Sequence, residues 1–143
     1  MPDATSAPTL DGAALEFVTA TPLRFGTLST INPDGSPHQA VVWYVVRADG
    51  GIMFNSRIGR RWPSNLLRDP RCSMTVEDRY HWVSVRGEVE AIEDHEQACA
   101  DICDLATRYH ADDPAERDRM IGVFRTQDRI SFVLRPRGVS IHL

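Results

Sequence analysis

The chain contains no lysine: all of its 16 basic residues are arginine. That absence excludes a Schiff-base lysine and with it covalent pyridoxal phosphate catalysis. Every cation on the protein is instead a planar, permanently charged guanidinium. Long apolar runs are also missing. The most apolar stretch, Ala40 to Val46, is far too short to span a bilayer as a helix, so no membrane association is expected. The opening residues Met1 to Thr9 have neither the cationic start nor the apolar core of a signal peptide, which points to the cytoplasm. Cysteine is scarce. Of Cys72, Cys99 and Cys103, the last two lie four apart on an expected helix, but no histidine or further cysteine completes a zinc pattern. They read as small buried hydrophobes in a reducing compartment rather than as metal or redox ligands.

Catalytic signatures are equally few. There is no dinucleotide-binding glycine fingerprint, no P-loop and no G-x-S-x-G elbow. The five histidines, His38, His81, His95, His110 and His142, fall on different expected elements without metal-ligand spacing, so no metal site is expected. His95 and His110 read as surface helix positions. His38 and His81 flank strands, where a structural role competes with ligand contact. No nucleophile, acid or base set emerges, and the catalytic residues stay unassigned. Any reaction then needs a bound cofactor, with the protein supplying binding, orientation and electrostatics.

What the chain does have is an ordinary globular composition, 42% hydrophobic and 25% charged over 143 residues. This length fits one domain, residues 10–143, behind a flexible start at 1–9. The net charge of −4 argues against a general nucleic-acid binder, and no nucleic-acid partner is expected. Against that acidic background, Arg57, Arg60 and Arg61 cluster where a strand, Ile52 to Ser56, gives way to a short helix from Trp62 to Arg68. Guanidinium forks beside a helix start suit a phosphate. The competing reading is a solvated basic turn.

The remaining elements follow from periodicity and turn chemistry. A helix is expected within Leu10 to Ala20, then a strand from Leu23 to Ile31, the turn Asn32-Pro33-Asp34-Gly35, and a return strand from Pro37 to Val46. The β-branched and aromatic run in that return strand predicts burial on both faces. Arg71 to Glu77 and Trp82 to Ile92 read as two more strands. Helices are expected over Asp94 to His110 and Ala115 to Phe124, and strand segments over Arg129 to Leu134 and Val139 to His142. Trp43, Trp62, Tyr80 and Trp82 are candidate walls for a flat ring, with core or interface packing as the alternative for each. Antiparallel strands in close succession with inserted helices predict a mainly β fold, a small barrel with helical additions.

Several segments in this order resemble a known family. They are Phe25 to His38, Val41 to Tyr44, Gly59-Arg60-Arg61, Asn65 to Arg71 and Val83 to Glu90. Together they are similar to the flavin and deazaflavin oxidoreductases related to pyridoxamine 5′-phosphate oxidase. The resemblance implies a split β-barrel and a homodimer whose cofactor lies at the subunit interface. It places Asn55, Ser56 and Arg57 along the cofactor ring and ribityl chain, Arg60 and Arg61 on the phosphate, and Gln39 to Trp43, including Val42, on the adjoining strand. Arg61 stands where the family often has lysine, and Trp62-Pro63 replaces a common polar pair. The ending Arg135 to Leu143 departs from the C-terminal arginine and histidine motif of the classical oxidases. The compact length and the Gly-Arg-Arg segment resemble the branch that uses coenzyme F420. The implied activity is hydride transfer from the reduced deazaflavin to a conjugated small-molecule substrate. An FMN-dependent enzyme and a non-catalytic flavin carrier or sensor are the alternatives.

Overall fold

The computed structural model describes residues 9–143; the expected flexible start lies, apart from Thr9, outside the described residues. Helix α1 (Gly12–Thr19) leads into β1 (Gly26–Ile31) and β2 (Pro37–Val42), which pair antiparallel with Ile31 opposite Pro37. Their turn forms as its residues dictate. Gly35 takes a φ of 85°, and the Asp34 carboxylate accepts from the Ser36 amide at 2.9 Å. After β3 (Val45–Val46) and β4 (Ile52–Arg57), α2 (Arg61–Arg68) runs to β5 (Arg71–Asp78) and β6 (His81–Ile92). Helices α3 (His95–Tyr109) and α4 (Pro114–Phe124) precede the last strand, β7 (Arg129–His142). Asp94 and Asp113 cap α3 and α4 by accepting from the amides of Gln97 and Glu116.

The seven strands among the described residues join one sheet in the order β2-β1-β5-β6-β7-β4-β3. Its two edge strands are consecutive in the chain, linked only by Trp43 and Tyr44, so the sheet must curl until its edges approach. The result is a split barrel. Leu28, Phe54, Met74, Val83, Phe132 and Leu134 fill the interior, which Val18 of α1 and Trp62 and Leu66 of α2 close. A second core lies outside the barrel, where Met53 and Val133 meet Ile102, Leu105 and Ala106 of α3 and Phe124 of α4.

Two expectations need correction here. The stretch Pro37 to Val46 is not one strand buried on both faces: it breaks at Trp43-Tyr44, and Val41 is 69% exposed. Apolar content alone did not distinguish an edge strand from a central one. The doubly buried strands are β4 and β7, because α3 covers their outer side, with Phe124 of α4 joining the same cluster. The two segments expected at the end are also one strand, continuous through Pro136. Proline fits there because β4 pairs with β7 only as far as Leu134, leaving that side of Pro136 without a ladder partner.

Candidate functional site

Alternation along β4 sends Ile52, Phe54 and Ser56 toward the barrel and Met53, Asn55 and Arg57 toward the helices. At its end the chain turns through Gly59, whose φ of 97° favours a residue without a side chain. Arg60 then occupies the N-cap position of α2, and no side chain caps that helix start. Arg57, Arg60 and Arg61 are exposed, and Arg57 is paired in register with Arg129 at the start of β7. Paired residues share a sheet face, so two like charges stand side by side. Such a pair is destabilising by itself. None of these four arginines makes an ion pair among the described residues.

Arg129 is 6% exposed. Its Nε donates to Asn55 Oδ1 at 3.0 Å and its Nη1 to Gln127 Oε1 at 2.8 Å, while the guanidinium lies 4.7 Å from the centre of the Phe124 ring. Burial first, and then the nearby charges of Arg60 and Arg57, push its pKa down to about 10. The charge is therefore held against both desolvation and repulsion. Beneath it runs a buried polar chain. Asn55 Nδ2 donates to the Ala98 carbonyl and to Ser131 Oγ, both at 2.8 Å, and Ser131 Oγ donates to Asp101 Oδ2 at 2.7 Å. Gln97 donates to the other oxygen of Asp101 at 2.8 Å, and Arg47 lies 3.6 Å from the first. With its amide nitrogen committed, Asn55 can turn only its oxygen toward Arg129.

These residues form the polar end of a groove of about 240 Å³, with Asn55, Arg60 and Arg129 in its wall. Val41, Val42, Trp43, Trp62, Ile102, Leu105, Met120 and Phe124 make up the apolar remainder. The arrangement suits a ligand with a flat apolar body and an anionic end. Of the eight residues expected to bind a cofactor, Val42, Trp43, Asn55 and Arg60 come together here. Arg57 joins through its pairing with Arg129, and Arg61 begins α2 beside the groove. Gln39 and Ser56 do not line it. Gln39 is exposed and donates to Ser29 Oγ at 3.2 Å, while Ser56 is buried and donates to the Arg57 carbonyl at 3.0 Å.

Of the candidate ring walls, Trp43 and Trp62 line the groove and Tyr80 and Trp82 do not. Trp43 stacks on Tyr109 at 5.2 Å, and Trp62 packs between Phe54 and Phe132 in the barrel. Trp82 stacks on His142 away from the groove, and Tyr80 is 86% exposed at a hairpin tip. Cys72 is a core residue whose thiol burial pushes up to about 12, whereas Cys99 and Cys103 are only half-buried. Sequence reasoning passed over Arg129 and Asp101. The available signals were a charge heading the apolar run Ile130 to Leu134 and a carboxylate on the Ala98–Ile102–Leu105 face of α3. Among the described residues, no group of three or more histidine, cysteine or acidic side chains could hold a metal ion, and no helix is long and apolar enough to cross a membrane.

The family model described as pyridoxamine 5′-phosphate oxidase matches residues 10–133. The chain belongs to this family. Among solved structures, this member of the pyridoxamine 5′-phosphate oxidase family is similar to an F420 reductase, with 28% identity and a TM-score of 0.67 over 87% of this chain and 94% of the other. It is also similar to a conserved hypothetical protein from Mycobacterium tuberculosis, with 29% identity and a TM-score of 0.72 over 95% and 88% of the two chains. A heme storage protein from Vibrio cholerae, 19% identical with a TM-score of 0.66 over 93% and 94%, shares the fold. No curated protein matches the sequence.

Proposed function

We propose that this chain is an oxidoreductase that uses coenzyme F420 to reduce a conjugated, electron-poor organic molecule. The observation that carries the reading is the unneutralised arginine cluster at the polar end of an apolar groove, in a chain similar to an F420 reductase. The residues fit such a group. A surplus of guanidinium without carboxylate calls for a phosphate, and the apolar wall calls for a ring. Arg60 and Arg61 would hold the phosphate with Arg57 beside them, while Val42 and Trp43 would border the ring. When bound, the reduced deazaflavin supplies a hydride. The chain's own residues bind, orient and exclude water.

At about 240 Å³ the groove is smaller than the roughly 300–1,000 Å³ of ordinary small-molecule sites, and exposed Val41 forms one rim. A second copy laid over that rim would complete it, which supports a homodimer. The free thiols Cys72, Cys99 and Cys103 are consistent with a reducing cytoplasm. FMN, with its own phosphate and flat ring, is the runner-up cofactor. Fluorescence titration separates the two: deazaflavin should bind at least about tenfold more tightly than FMN, a difference of about 1.4 kcal/mol. Equal or tighter FMN binding reverses the assignment.

A further inference from the structure

Most buried arginines face a carboxylate, and this chain has one in reach of the same network. Asp101 nevertheless sits at the far end of the chain through Ser131 and Asn55, and among the described residues Arg129 donates its side-chain hydrogen bonds to neutral oxygens. The Phe124 ring and the two amide oxygens hold the guanidinium without cancelling its charge. Among the described residues Nη2 makes no hydrogen bond and no buried side-chain nitrogen or oxygen lacks a partner, so Nη2 is not fully enclosed, and Arg129 lines the groove. Across the ladder, Arg57 adds a second unneutralised charge on the same face. Such an arrangement costs stability unless an anion arrives.

We infer that Arg57 and Arg129 form an anion subsite of their own at the heads of β4 and β7, beside the Arg60–Arg61 turn, for a second phosphate or carboxylate carried by the ligand of the groove. Asn55, Ser131 and Asp101 are positioning residues: they fix the Asn55 amide so that its oxygen holds Nε and leaves Nη2 forward. The inference rests on the groove being a ligand site, whichever cofactor occupies it.

Inorganic phosphate is the probe, titrated against chloride at matched ionic strength while the side-chain Nε–H signal of Arg129 is followed by NMR. Burial and the bond to Asn55 slow the exchange of that proton enough to observe it. The signal should shift on saturation, and the shift should persist in an Arg60→Gln, Arg61→Gln double variant. A shift lost in the double variant shows that Arg129 only senses the neighbouring turn, and overturns the subsite. Thermal unfolding adds an independent reading. In Arg129→Met the loss of an uncompensated charge and the orphaning of Asn55 Oδ1 act on the melting temperature in opposite directions, so the reading is the phosphate response: the variant should lose part of the increase that phosphate gives the parent. The full phosphate response in this variant makes Arg129 structural. If Arg129→Met does not fold, exposed Arg57→Gln decides: it should weaken the phosphate response of the Arg129 signal about fivefold or more, and an unchanged response rejects the clamp.

Discussion

Strand β7 carries an arginine on each side of its apolar centre, and the two are held in opposite ways. Arg135 is part-exposed and meets two carboxylates, Asp49 at 2.8 Å and Glu90 at 3.2 Å, which together raise its pKa. Arg129 is buried, meets none, and has its pKa pushed down. Size and formal charge are identical, so the difference lies in what the fold placed around each. A neutralised arginine at a surface ties β7 to the turn before β4 and to β6. An unneutralised one in a groove wall carries an electrostatic cost that an anionic ligand would offset, which is why the proposed subsite is placed there.

The contrast is broken most sharply by affinity. Replacing Arg60 or Arg61 with alanine should remove a charge-assisted contact worth roughly 1.5–3 kcal/mol and weaken deazaflavin binding about 10- to 150-fold, with unchanged circular dichroism. Arg135→Ala should leave the same titration unaltered. If all three variants bind alike, the basic turn is merely solvated. Stability gives the next largest effect. Asn55→Ala strands Arg129 Nε and Ser131 without their partner, and denaturant unfolding should show a loss of about 2–3 kcal/mol. Arg135→Ala should cost about 1 kcal/mol or less, since its ion pairs are solvent-screened.

The smallest effect appears in acid. Hydrogen bonds from Arg135 and from the Gly51 amide hold the Asp49 carboxyl below its ordinary value of 3.8. Because the folded pKa lies below the unfolded one, the contribution of Asp49 is complete above that ordinary value and is lost as pH falls through the lowered pKa. Arg135→Ala should flatten this part of the stability profile, whereas Arg129→Met should leave it in place. A parallel change in both variants would mean that the two ends of β7 are coupled.

Much of the scaffold was legible in advance because its causes are local. Asp94 and Asp113 cap helices through bonds to residues three positions on, and Asn32 to Ser36 close a turn through their own side chains. The Arg57–Arg61 run was equally visible, because a charge cluster at a strand-to-helix junction needs no distant partner. By itself, then, the sequence determined the order of the elements, the family resemblance and the position of the basic turn. Tertiary structure decided the rest. Only the sheet order made β4 and β7 central and left Val41 at an edge, and only the β4–β7 register set Arg129 against Arg57 and joined it to Asn55, 74 residues away. The arginine-lined end of the groove is assembled by contacts between segments remote in the chain, and local propensity carries no record of which segments will meet.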